Sequence, residues 1–101
     1  MAVKISFDIS NNDELNTLDS KLQAAYEKHD QVVFSFNLSR LTVNNTGNLG
    51  TVLALVKKYR HQEHKLKHID IVCPKTHKIK REIVKKCIKS IKINKPVYLV
   101  S

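Results

Sequence analysis

Residues that break or cross-link a chain are scarce in this sequence, and each scarcity excludes a class of protein. The 101 residues include two glycines, two prolines, two cysteines and no tryptophan. Such a composition excludes collagen-like and low-complexity chains. Cys73 and Cys87 lie far apart and form neither a CxxC motif nor a disulfide framework. We expect both to be reduced and mostly buried thiols.

Long apolar runs are also missing. No run approaches the roughly 20 residues that cross a bilayer, and the first ten residues, MAVKISFDIS, lack the apolar core of a secretory signal. A hydrophobic content of 42% with 27% charged residues is typical of a folded protein. We therefore expect one domain, residues 1–101, that is soluble, cytoplasmic and not an integral membrane protein.

Acidic residues become rare after the first forty positions. The net charge is +9, yet the chain through Arg40 carries −2, so the remainder carries +11. This asymmetry predicts a basic face that meets nucleic acid, an anionic membrane or an acidic partner. Most of the cations are lysines, which give diffuse charge, whereas base-specific contacts usually need the forked guanidinium of arginine.

Hydrophobic periodicity predicts alternating strands and helices. Val3 to Ile9 alternates as a strand does, and a capping sequence at Asn11 precedes a helical pattern. The predicted elements are strands at 3–9, 31–38, 68–73 and 97–100, with helices at 13–29, from about 49, and from 76. The order β-α-β-α-β-α-β predicts an α/β fold, with a small four-stranded, mainly parallel sheet and three helices.

The last predicted helix combines an apolar stripe with a lysine-rich surface. The stripe contains Ile79, Ile83, Val84, Cys87, Ile88 and Ile91, and the predicted basic face contains Lys78, Lys80, Arg81, Lys85, Lys86 and Lys89. A charge run of this kind is either a solvated helix surface or a binding face for polyanions.

Neither metal nor catalytic chemistry can be assembled from the sequence. His61, His64 and His68 are spaced HxxHxxxH, but the helix that carries the first two is expected to end before the third, so they need not share a face. Cys87 lies on the apolar stripe, where a thiol is inert. We expect no metal, no cofactor and no enzymatic activity.

The middle of the chain, VVFSFNLSRLTVNNTGNLGTVLALVKKYR, resembles the strand, loop and helix of the STAS domain, found in sulfate-transporter tails and bacterial anti-sigma factor antagonists. CPKTHKIKREIVKKCI is similar to the family's last strand-to-helix passage. The resemblance covers nearly the whole chain and implies a STAS-like, non-catalytic domain that docks a protein partner around this loop and the following helix.

The loop differs from the family pattern at the positions of the phosphorylation switch. The partner- or anion-binding loop that the resemblance implies comprises Asn44, Asn45, Thr46, Gly47 and Asn48. Asn45 stands at the family's aspartate, and Gly47, without a hydroxyl, stands at its phospho-accepting serine. We expect the switch to be lost and Thr46 to cap the helix, which leaves a helix N-terminus as a weak anion site.

The resemblance also implies a missing strand. STAS domains usually begin with an extra strand that pairs with the one matched here by residues 31–38. In the order 2-1-3-4, that strand would lie at the sheet edge, where it is expected to pair with a second copy or with a partner's strand. The predicted edge strand comprises Val32, Val33, Phe34, Ser35 and Phe36.

Two functions lead from the sequence, and a role at a membrane surface is third. One is a protein–protein interaction module of STAS-like type without the phospho-switch, working as a homodimer or with another protein. The other is a basic protein that binds nucleic acid or phosphate through the lysine-rich last helix.

Overall fold

The computed structural model describes residues 2–42 and 47–101 and confirms the expected α/β class. All four strands run parallel in one sheet. Strands are β1 (Val3–Asp8), β2 (Val32–Asn37), β3 (Leu66–Val72) and β4 (Val97–Val100); helices are α1 (Asn12–Asn16), α2 (Leu18–Lys28), α3 (Gly47–Lys58) and α4 (Lys78–Ser90), with a 3-10 helix at Arg60–Lys65.

The predicted first helix is broken into α1 and α2 at Thr17. The Asn11 side chain caps α1 as predicted, accepting hydrogen bonds from the backbone N–H groups of Asp13 and Glu14. The Thr17 hydroxyl donates to the carbonyls of Asp13 and Glu14, both at 3.2 Å. Such bonds from threonine back to the preceding turn compete with the helical ladder and bend helices.

The sheet order is β1-β2-β3-β4, so the predicted order 2-1-3-4 is wrong. β2 is a central strand, paired with β1 on one side and β3 on the other, and Val32, Val33, Phe34, Ser35 and Phe36 are all buried. These five residues therefore form no edge. The backbone groups of β2 are used within the sheet, by β1 on one side and β3 on the other.

The strand order places the helices together on one face of the sheet. Successive right-handed crossovers that step in one direction keep every connecting helix on the same side. The core agrees, because its strand residues come from one face: Phe7, Phe34, Phe36, Ile69 and Ile71 pack against helix residues such as Leu22, Leu53 and Val84. Phe34 contacts Tyr26 edge-on, with ring centroids 5.4 Å apart.

Helices α2 and α3 are joined at the surface by Asp19. Its carboxylate accepts from the Lys58 ammonium at 2.8 Å and from the Tyr59 hydroxyl. The hydrogen bonds from Lys58 and then Tyr59 hold the pKa of Asp19 below its usual value, and the same contact with Asp19 raises the pKa of Tyr59.

Candidate functional site

The loop that the STAS resemblance identifies lies partly outside the described residues. Asn44, Asn45 and Thr46 are not described. Gly47 is exposed at the start of α3, while the Asn48 amide donates to the carbonyl of Ile9 at 3.3 Å and ties α3 to the end of β1. Among the described residues, no atom outside its immediate chain neighbours lies within 4 Å of a Cβ added at Gly47, and the φ of Gly47 is not positive. The backbone here therefore does not require glycine.

An open apolar depression lies beside this loop, at the carboxyl ends of β2 and β3. Its volume is about 550 Å³. Ligands of open α/β sheets bind outside the carboxyl ends of the strands. The lining residues are Leu41, Thr42, Thr76, His77, Lys78, Ile79 and Lys80.

Ile79 is on the surface and not in the apolar stripe, contrary to the sequence prediction. Its side chain is 70% exposed. The face of α4 that meets the core instead carries buried Lys80 and Val84, followed by half-buried Cys87, Ile88 and Ile91. A lysine can occupy this buried position because its ammonium donates hydrogen bonds to backbone carbonyls outside the core.

Lys80 is a structural residue and does not belong to the basic face. It is only 5% exposed, and its ammonium donates to the carbonyls of Leu38 at 2.8 Å and Leu41 at 2.7 Å, with a longer contact to Ser39 at 3.4 Å. A buried charge must be hydrogen-bonded to be tolerated. Lys80 thereby fixes the chain after β2, which forms one wall of the depression.

The remaining members of the predicted basic face divide into bound and free cations. Arg81 is half-buried and donates to the carbonyl of Cys73 at 2.7 Å. Lys85 lies 3.2 Å from the Glu82 carboxylate. Lys78, Lys86 and Lys89 are exposed, and among the described residues they have no carboxylate within 4.0 Å. The lysines exposed on α4 are thus Lys78, Lys85, Lys86 and Lys89.

A second cation-lined cavity was missed by the sequence reasoning. Its volume is about 230 Å³, and it is lined by three cations and one carboxylate together with two apolar residues and an amide: Lys57, Arg60, Lys92, Glu63, Val56, Ile93 and Asn94. Lys57 lies at the end of α3, Arg60 begins the 3-10 helix, and Lys92 lies in the segment after α4. Only the tertiary fold brings these segments together, so no sequence spacing signals the site.

The three histidines of the HxxHxxxH spacing lie on two different elements. His61 and His64 lie on the 3-10 helix, and His68 lies on β3 with its Nε2 3.4 Å from Asp70. Within residues 2–42 and 47–101, no three His, Cys, Asp or Glu side chains are grouped to hold a metal ion.

Both cysteines are free thiols. Cys73 is buried, Cys87 is half-buried, and burial raises the pKa of each thiol. A raised pKa suppresses the thiolate, which is the reactive form.

Fold and site together define an α/β domain with a four-stranded parallel sheet, helices on one face, and an open apolar depression at the strand ends. None of its described helices has the length and apolar character needed to cross a membrane. No protein-family model, curated protein or solved structure matches the chain.

Proposed function

We propose that this chain is a non-catalytic protein–protein interaction module of STAS-like type that has lost the phosphorylation switch of that family. The observation that carries the proposal is the apolar depression beside the loop, with Ile79 70% exposed at its rim. Exposed apolar surface rimmed by polar groups is typical of protein docking sites.

The location of the depression supports the same proposal. The STAS resemblance implies docking around the loop and the following helix, and the depression is bounded by Leu41 and Thr42, which lead into that loop. Lys80 anchors this wall through the carbonyls of Leu38 and Leu41. A pre-formed wall lowers the ordering cost of binding a partner.

The loss of the switch follows from Gly47. Because a Cβ there would meet no neighbour in the part of the chain that the structure describes, a serine fits this position as glycine does. The missing hydroxyl is therefore a feature of this sequence and not a requirement of the backbone. The partner is accordingly expected to bind without phosphorylation at this position.

The test is capture of a partner from nuclease-treated native lysate by the immobilised chain. Ile79→Asp should abolish capture, because it places a charge in the apolar contact. Lys89→Asp, a change at an exposed position on the same helix, should retain it. Equal capture by wild type and Ile79→Asp would contradict docking at the depression.

A second function is supported by the charge of the last segment. Four lysines are exposed on α4, and only Lys85 has a carboxylate nearby among the described residues. These side chains suit a nucleic-acid or phosphate ligand bound through diffuse charge. Capture that disappears on nuclease treatment would favour this alternative.

A further inference from the structure

The outer edge of β4 has unpaired backbone groups. The carbonyls of Pro96 and Val100 accept from the N–H groups of Ile69 at 3.0 Å and Cys73 at 2.9 Å. In a parallel ladder, alternate residues direct both backbone groups to the same neighbour. The N–H and C=O groups of Val97 and Leu99 therefore point away from β3, and no described strand lies beyond β4.

This edge strand is short, at four residues, but its sequence contains none of the residue types that normally protect an edge. Val97–Val100 contains no charge, proline or glycine, whereas the opposite edge strand, β1, carries Lys4 and Asp8. The core is also incomplete at this margin, because the apolar side chains that reach it are only half-buried. They are Ile88, Ile91, Ile93, Val97 and Leu99.

The charge around the edge selects the chemistry of its occupant. From Ile83 to Ser101 the sequence contains five lysines and no aspartate or glutamate. Pairing with a second copy would bring two such segments together and is opposed by like-charge repulsion. An acidic segment is attracted instead.

The cavity lined by Lys57, Arg60 and Lys92 lies next to the start of β4. Glu63 also lines this cavity, but among the described residues none of the three cations has a carboxylate within 4.0 Å. The Glu63 carboxylate instead accepts from the backbone N–H of Asn94 at 2.9 Å. The cavity volume of about 230 Å³ is below the roughly 300–1,000 Å³ of pockets for drug-sized ligands, so it suits an acidic side chain.

We propose that the outer edge of β4 binds one extended strand of a partner protein, with an apolar centre and acidic flanks. The backbone of Val97 and Leu99 pairs with that strand, its apolar side chains cover the margin, and a flanking carboxylate enters the cavity at Lys92. This inference rests on the proposed interaction function, but it uses a surface distinct from the depression at Ile79.

The test titrates the full chain with a synthetic peptide, acetylated and amidated, of sequence Glu-Glu-Val-Thr-Val-Thr-Val-Glu-Glu. Binding is followed by fluorescence anisotropy, and the exchange of the Val97 and Leu99 amides by NMR. We expect saturable binding and at least about tenfold slower exchange at both amides. A peptide with N-methylated central valines keeps the charge but cannot pair, and should not bind.

Two protein variants separate strand pairing from diffuse charge. Leu99→Pro removes one outward N–H at a position where an edge strand tolerates proline, and should abolish binding. Lys92→Glu should weaken binding at least about tenfold, equal to 1.4 kcal/mol. Its matched control, Lys86→Glu, has the same charge change outside the cavity and should alter affinity less than about threefold.

Several outcomes would overturn the proposal. They are equal binding of the N-methylated peptide, equal losses in Lys92→Glu and Lys86→Glu, absence of saturable binding, or sedimentation of the free chain as a dimer that protects the Val97 and Leu99 amides. Failure here, with Ile79-dependent capture intact, would remove the edge site and leave the proposed function standing. If Ile79-dependent capture fails while the peptide still binds, the proposed docking at the depression is contradicted and the edge site stands.

Discussion

Replacing Lys80 by methionine tests whether this lysine holds the structure together. Methionine keeps the length and most of the volume of the side chain but removes the ammonium that donates to Leu38 and Leu41 at 2.8 and 2.7 Å. A hydrogen bond from a charged donor contributes about 1.5–3 kcal/mol. The 3.4 Å contact to Ser39 adds little at that distance.

Loss of the ammonium affects the hydrogen bonding of the two carbonyls differently. The Leu38 carbonyl also accepts from the backbone N–H of Leu41 at 3.0 Å, so it keeps one partner. The Leu41 carbonyl loses its ammonium donor. Removing the ammonium also removes the cost of burying a charge. We therefore expect Lys80→Met to lower the free energy of unfolding by about 2–3 kcal/mol.

Urea unfolding followed by circular dichroism measures this change. For a small protein the denaturant slope is roughly 1–3 kcal/mol per molar urea, so the midpoint should fall by about 0.7–3 M. Lys86→Met, at an exposed position of the same helix, should change stability by less than about 0.5 kcal/mol. If both variants lose the same stability, Lys80 does not anchor the chain after β2.

Three further predictions concern pH, thiol reactivity and charge. Asp19→Asn should reduce the loss of stability at acid pH. The pKa of Asp19 is lowered in the folded state, so the stability that its carboxylate contributes is present above the unfolded pKa near 3.8 and is lost as the pH falls through the folded pKa. Urea midpoints between pH 5 and pH 3 that fall equally in wild type and variant would contradict this. Cys73 should react with a disulfide reagent at pH 8 only as fast as the chain opens, because its side chain is fully buried in the folded state; immediate labelling of the folded chain would refute this. Reversing Lys78, Lys85 and Lys89 to glutamate should leave circular dichroism unchanged and lower the salt concentration that elutes the protein from heparin; unchanged elution would exclude these lysines from anion binding.

The strands and helices were predictable from local sequence pattern, whereas the order of the strands in the sheet was not. Alternation from Val3 to Ile9 and the cap at Asn11 are local signals, and both correspond to observed elements. Strand order depends on how crossovers step across the sheet, which the pattern does not encode. Phe34 and Ser35 lie on opposite faces of β2 and are both buried, as expected for a strand with a neighbour on each side.

The candidate site was predictable only in part for a related reason. Periodicity along α4 could not decide whether Ile79 or Lys80 faces the core, because the answer depends on the carbonyls of Leu38 and Leu41 elsewhere in the fold. The cavity at Lys92 likewise joins segments about thirty residues apart. Thr46 and its expected capping role lie outside the described residues and remain a prediction.

The salt dependence of partner binding tests the central claim most directly. The dissociation constant of the wild-type chain and its captured partner would be measured from 50 to 200 mM salt. Docking through the apolar depression at Ile79 predicts a change of less than about tenfold across this range. A loss of affinity of about a thousandfold or more, as expected when six to ten phosphates are contacted, would contradict the interaction module and favour a polyanion-binding protein.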